Sequence, residues 1–141
     1  MDLKGILDAL IETLRSEVPD FNSLTAEKAH DQVREYKGEY EPNGEWTPAF
    51  PTCFIDTALI TPLSYASDDS VTNVSVVFDL YIANRFNQTD HILNTVGRIF
   101  DVLNSGNVEI DDHVYFFKIG KIQFLGNTNE VKVYKMQITS L

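Results

Sequence analysis

The sequence predicts an α+β domain in which two helices pack on one face of an antiparallel or mixed β-sheet. Apolar residues recur at helical spacing in residues 3–18 and 92–103, and they alternate at strand spacing in residues 72–86. The length of 141 residues and the hydrophobic content of 43% suit one compact core, so residues 1–141 are expected to form a single domain. The predicted order of elements is helix, strands, helix, strands.

The first helix is defined by an apolar stripe that runs from Leu3 to Val18. Asp2 is placed to cap its amino end, and Pro19 ends it. The opposite face carries both basic and acidic side chains, such as Lys4 and Glu12, whereas a membrane-surface helix has a basic polar face. The stripe is therefore expected to pack against the sheet.

A polar segment follows, and its part from Gly38 to Pro51 is rich in turn residues, which predicts a long protruding loop. It holds four aromatic residues, Tyr36, Tyr40, Trp46 and Phe50. Aromatic residues are favoured at the cores of interfaces, so these four are candidate residues of a subunit or partner interface. In the alternative interpretation they fold back to cover one edge of the sheet.

The sequence predicts two β-hairpins, one before the second helix and one after it. Residues 52–63 and 72–86 are expected to pair antiparallel across a polar turn that contains Asp68 and Asp69. Residues 108–124 and 131–139 are expected to pair across a turn at 126–129, with a bulge where the alternation slips between Val133 and Met136. The last strand, which reaches almost to Leu141, is a candidate for pairing between subunits.

The second helix is expected to begin at a Thr89 cap and to stop at Gly106. Gly97 lies inside it, where glycine costs about 1 kcal/mol relative to alanine. That position predicts a close approach of some other part of the chain to the helix backbone.

The charge balance is strongly acidic, with 21 acidic and 11 basic side chains and a formal net charge of −10. No run of lysine or arginine is present to displace counterions from a phosphate backbone, so sequence-specific nucleic-acid binding is not expected. Four aspartates are candidate acidic loop residues, Asp68, Asp69, Asp111 and Asp112. If repulsion between these aspartates limits self-association, added salt should strengthen the association. If the copies instead join through complementary charged patches, added salt should weaken it.

Residues that could support catalysis are sparse. Cys53 is the only cysteine, has no glycine-rich elbow around it, and is expected to be a buried thiol. Asp111, Asp112 and His113 are adjacent, so in a strand they point to opposite faces and do not converge on one metal ion. No glycine-rich phosphate loop and no membrane-spanning apolar run is found. We therefore expect no enzyme activity, cofactor, metal site or membrane partner, with a small hydrolase of unrecognised site as a remaining alternative.

One set of motifs suggests a family. A helix containing Ile6-Leu7-Asp8-Ala9-Leu10-Ile11-Glu12-Thr13-Leu14 ends in Val18-Pro19, and after a long polar insert Ala49-Phe50-Pro51-Thr52-Cys53-Phe54-Ile55 leads into a strand. In this pattern the chain resembles the Mu-like phage Gp37 family and, more loosely, the tail-terminator proteins of long-tailed phages. The insert between Tyr36 and Trp46 is longer than in that family.

The resemblance implies a structural protein that forms a ring of six copies on the head-proximal end of a phage tail tube. Its partners would be further copies of itself, the tail-tube proteins and the neck proteins. It would be assembled in the bacterial cytoplasm and end in the virion, and a prophage relic or a contractile injection machine would use the same part. The alternative from another class is a free-standing protein-binding module that uses the aromatic loop 36–50.

Overall fold

A computed structural model describes residues 2–22, 31–46, 49–88, 90–104, 108–110, 113–128 and 130–140. The helices are α1 (Leu3–Glu17) and α2 (Ile92–Asn104). The strands are β1 (Val33–Glu35), β2 (Thr52–Tyr65), β3 (Val71–Arg85), β4 (Val108–Ile110), β5 (His113–Tyr115), β6 (Phe117–Thr128) and β7 (Val131–Ser140).

The main sheet has five strands in the order β1-β2-β3-β7-β6. β1 pairs parallel with β2, and the other neighbours are antiparallel, so the sheet is mixed. The α+β class and the two hairpins were predicted, but the predicted element order was too simple. β1 lies in the polar segment that precedes the predicted loop, where no strand was predicted, and β4 pairs antiparallel with β5 in a separate two-stranded sheet in place of the start of one long strand.

Both helices pack on the same face of the sheet, which we call the helix face. Leu10 of α1 and Ile99 of α2 are fully buried in one cluster with Leu80 of β3 and other alternate strand residues. Asp2 caps α1, since its carboxylate accepts a hydrogen bond from the Gly5 amide at 2.9 Å. Burial of these stripes removes apolar surface from water at about 25 cal/mol per Å², which is the main force holding the helices in place.

The opposite face of the sheet carries a smaller apolar cluster, formed by Ala83, Val131 and Val133. This second face explains the apolar pattern of β7. The strand pairs without interruption with β3, and the irregularity predicted for the hairpin lies in β6, whose register with β7 shifts between Ile119 and Ile122 and between Phe124 and Gly126. The apolar pattern of β7 slips because Val133 is buried on the second face, whereas Met136 is buried on the helix face.

Two glycines behave differently from the prediction. Gly97 is exposed, and a Cβ built there meets nothing within 4 Å, so the predicted close packing on α2 is wrong. Gly126 is not a turn residue but lies within β6, at a register shift, with φ of +132° and the Tyr40 hydroxyl 3.3 Å from the position of a Cβ. The predicted Thr89 cap and Gly106 stop lie outside the described residues.

Candidate assembly surface

The β2–β3 hairpin projects beyond the rest of the sheet. β3 pairs with β7 only from Val76 onward, so residues 71–75 pair with β2 alone. Every residue in 57–65 and 67–73 is exposed. We call residues 57–73 the arm. No other described strand supports it.

The arm carries large apolar side chains into solvent. The exposed ones are Leu59, Ile60, Leu63, Tyr65 and Val71, with Tyr65 the most exposed at 61%. Exposed apolar residues that occur singly are ordinary, but a contiguous group on a projecting element is typical of an interaction site. The sequence indicated strands here but gave no sign that their apolar residues would be uncovered.

Two strand edges are open among the described residues. β1 covers the outer edge of β2 only at Cys53–Ile55, which leaves the outer edge of β2 unpaired along the arm. β6 is the last strand on the other side of the sheet, so its outer edge is unpaired as well. The expectation that the final strand pairs between subunits is wrong, because β7 is bonded on both sides, to β3 and to β6.

The two open edges differ in charge. Residues 52–84, which make up the β2–β3 hairpin except for its last residue, Arg85, contain Asp56, Asp68, Asp69 and Asp79 and no lysine or arginine. β6 contains Lys118 and Lys121 and no acidic residue. An acidic hairpin, whose open stretch 57–65 is itself uncharged, and a basic edge strand therefore lie on opposite sides of one sheet, although the chain as a whole is acidic. The sequence holds this signal, but the strand order is needed to reveal it.

Two carboxylates meet near the start of the arm. Asp56 and Asp79 are register partners on neighbouring strands, where like charges oppose each other. Burial and the charges of Asp79 and Glu35 raise the pKa of Asp56. Cross-strand repulsion is thus present in the single chain, and a positive charge from outside would relieve it.

The acidic loop residues divide into two groups. Asp68 shapes the turn of the arm, because its carboxylate accepts hydrogen bonds from the Ser70 amide at 3.1 Å and the Ser70 hydroxyl at 2.6 Å. These bonds lower the pKa of Asp68. Asp69 is next to it in the left-handed region, with φ of +66°. Asp111 and Asp112 lie outside the described residues.

The aromatic segment folds back over the second face. Tyr36 stacks on Tyr81 with ring centroids 4.0 Å apart, and the Tyr40 hydroxyl donates a 2.6 Å hydrogen bond to the Leu125 carbonyl. Burial is the main cause that raises the pKa of Tyr81 to about 12. These contacts fit the interpretation in which the aromatic residues cover the sheet of their own chain.

Trp46 and Phe50 complete this cover. The Trp46 ring stacks on Phe54 at a centroid distance of 5.6 Å, and the Arg34 guanidinium lies 4.0 Å from the centre of the same Phe54 ring. Phe50 has the Arg85 guanidinium 5.3 Å from its ring centre. All four aromatic residues remain half-buried, so their use as an interface stays a prediction.

A polar cluster joins the turn after α1 to α2 beside a cavity of about 370 Å³. Asp20, whose side chain is 4% exposed, accepts hydrogen bonds from Arg98 and from the Thr95 hydroxyl. Burial acts to raise the pKa of Asp20, but the hydrogen bonds and the charge of Arg98 outweigh it, so the pKa lies below its usual value. Arg98 also pairs with Asp90. Because Arg98 binds both carboxylates, its role is structural.

Two of the residues considered for chemistry, Cys53 and His91, lie within the described residues and have different environments. Cys53 is fully buried, as predicted, and burial raises the pKa of its thiol. The ring of His91 accepts a hydrogen bond from the Leu93 amide at the start of α2. In the part of the chain that the structure describes, no three histidine, cysteine or acidic residues are grouped so as to hold a metal ion. Over the same residues, no helix has the length and apolar content to cross a membrane.

No model of a protein family matches this chain. A search of curated proteins finds no match either.

Proposed function

We propose that this protein is a structural subunit that assembles with copies of itself into a closed ring. The observation that carries the proposal is the arm, whose apolar side chains and open β2 edge are left unsatisfied in the single chain. Exposed apolar groups and unpaired strand edges are the features by which sheets join other chains. An isolated hairpin is marginally stable in water, so a second chain that covers the arm would also stabilise it.

The resemblance in the first helix and around Phe50-Pro51 supports a more specific role. By that resemblance, the ring caps the tail tube of a phage, or of a related injection machine, or joins the tube to the neck. Its partners would be tail-tube and neck proteins. The protein would be assembled in the bacterial cytoplasm and carried in the virion, and it would act without catalysis.

The experiment measures mass in solution and compares two surface positions. Light scattering across a concentration series should show the wild-type chain growing to a defined oligomer, and electron microscopy should show rings. The double variant Leu59→Ser/Leu63→Ser should weaken this association, because it removes apolar contact area from the arm. The matched control Leu93→Ser changes a leucine of similar exposure on α2 and should leave the mass unchanged.

Three results would count against the proposal. A wild-type chain that stays monomeric at every concentration would overturn the ring. Rings unaffected by the arm variant but lost in the α2 control would move the interface to the helices. For the phage role, rings that do not bind the ends of reconstituted phage tail tubes would remove the tail assignment and leave the assembly.

A further inference from the structure

We propose that Pro62 closes the free edge of β2 to strand addition, so that the arm meets the next copy through its side chains and not through a continued sheet. This inference rests on the proposed self-assembly and specifies how its contact is made. Pro62 lies in the exposed half of β2 and is itself exposed.

The free part of the arm has almost the composition of a segment that pairs with copies of itself. Residues 57–67 contain no charged side chain. Segments of six or seven residues with high β-propensity, low net charge and no proline stack readily into sheets made of many chains. Residues 57–63 fit this description at every position except Pro62. A single residue therefore separates the arm from an aggregation-prone strand.

The nitrogen of Pro62 lies on the outer edge of β2. Along a strand, the backbone N–H and C=O of one residue point to the same side, and successive residues alternate. The Ile55 carbonyl accepts the Tyr36 amide at 2.8 Å, so Ile55 points towards β1 and the outer edge. The register shift between Thr57 and Leu59 adds one residue to β2, and counting across it places Pro62 on the same outer side.

The far end of the arm gives the same direction. The Ala66 amide donates a 2.8 Å hydrogen bond to the Ser70 carbonyl, so Ala66 and, two residues earlier, Ser64 point inward across the hairpin. The register shift between Pro62 and Ser64 then leaves Pro62 pointing outward. A strand arriving at this edge meets a proline ring where a donor is needed. Prolines in sheets are confined to such positions, and they oppose pairing there.

The two open edges of the sheet are protected by different means. β6 contains no proline but carries Lys118 and Lys121, and lysine on an edge strand opposes pairing of that edge. The free stretch of β2 has no charge to serve this purpose. It has Pro62 and three shifts of register, which make the edge irregular. Neither edge is suited to a sheet that continues from copy to copy.

The apolar side chains of the arm lie on both of its faces. Leu59 pairs with Val77, and Ile60 pairs with Val76. Val76 belongs to the cluster on the helix face, so Ile60 lies on that face and Leu59 on the opposite one. A strand added at the edge would leave both faces in water, whereas packing of these side chains against a surface of the next copy covers them. The arm is thus built to be covered and not extended.

The test restores the missing donor. Pro62→Thr places an N–H on the outer edge, and the variant should form fibres that bind thioflavin T, with sedimentable protein appearing about tenfold or more faster than in the wild type. The matched control Thr61→Val raises β-propensity at the neighbouring position, whose N–H already points across the hairpin, and should behave like the wild type. Far-UV circular dichroism and the melting temperature establish that each variant is folded. If Pro62→Thr melts below the assay temperature, Pro62→Ala supplies the same readout.

The outcomes separate the role of Pro62 from the ring. Unchanged sedimentation in both Pro62→Thr and Pro62→Ala would overturn the inference, and so would fibres formed by the wild type. Equal fibre formation in Thr61→Val would show that β-propensity, and not the restored N–H, is the cause. A wild-type chain that stays monomeric would overturn the ring, while fibres formed by Pro62→Thr from those monomers would still establish that Pro62 blocks the edge.

Discussion

The β2–β3 hairpin has two halves that both carry large apolar side chains but differ in environment. In the base of the hairpin, Phe54, Ile55 and Leu80 are fully buried, whereas in the arm Leu59, Leu63 and Tyr65 are more than half exposed. The base lies between the helices and the aromatic segment, and the arm has neither. The difference teaches that cover from other elements, rather than strand sequence, determines which apolar residues hold the fold and which are left for a partner.

The largest effect is expected in the base. Phe54→Ala removes a ring that contacts both Trp46 and Arg34, and it should lower the free energy of unfolding by about 3–5 kcal/mol. Leu63→Ala, on the same strand but in the arm, is the matched control and should change it by less than about 0.5 kcal/mol in the monomer. Urea unfolding at low protein concentration measures both. Equal losses at the two positions would contradict the contrast.

The aromatic cover should show an intermediate effect. Trp46→Ala removes a half-buried ring from the second face, and it should lower the free energy of unfolding by about 1–3 kcal/mol. The same urea experiment measures it, with light scattering to follow association. If unfolding is unchanged while association is lost, Trp46 belongs to the interface in the way the sequence suggested.

The ion pair between Asp20 and Arg98 joins the turn after α1 to α2. Arg98→Ala leaves a buried carboxylate without its partner and should cost about 1–3 kcal/mol at neutral pH. Since the folded pKa of Asp20 is lowered, its stabilisation is present above the unfolded value of about 3.9 and is lost as pH falls through the folded pKa. Urea unfolding against pH measures the change.

The control for that ion pair is Lys4→Ala. Lys4 pairs with Asp8 across one exposed turn of α1, so its removal should have almost no effect on stability at any pH. An acid-induced loss that is as steep in Arg98→Ala as in the wild type would show that Asp20 does not carry the pH dependence.

The smallest effect is expected at an exposed position of α2. Gly97→Ala adds a methyl group into open space and reduces the freedom of the unfolded chain, so it should stabilise the protein by about 0.5–1 kcal/mol. Gly126→Ala is the counterpart, since its φ of +132° strains any residue with a Cβ, and it should destabilise. Thermal unfolding of the two variants should shift in opposite directions. A stability loss at Gly97 would mean that something does pack there.

Local patterns predicted the elements whose environment follows from their own residues. The stripe around Leu10 and the alternation from Val74 to Ile82 each predicted one buried face, and Asp2 predicted the start of a helix. Patterns that depend on distant parts of the chain were misread. The slip between Val133 and Met136 reflects cover on two faces, and the open space at Gly97 depends on what does not pack there.

The candidate surface was predicted less well than the fold. The aromatic residues and Asp68 were singled out for their type, yet the arm and the edge lysines were not. An edge is a property of strand order, and strand order was not accessible from the periodicity of any one segment. The absence of basic residues from 52–84 and of acidic residues from 117–128 was the only local sign.

The arm also has a consequence for the lifetime of an unassembled copy. Its peptide groups are held by one hairpin ladder and no tertiary layer, so local opening of residues 57–73 needs only a fraction of the global unfolding energy. Exposed loop tips of this kind are preferred sites of proteolytic cleavage. A free copy is therefore expected to be degraded from the arm, whereas a copy whose arm is paired would resist. Cellular proteases would in this way remove surplus chains and spare those already incorporated.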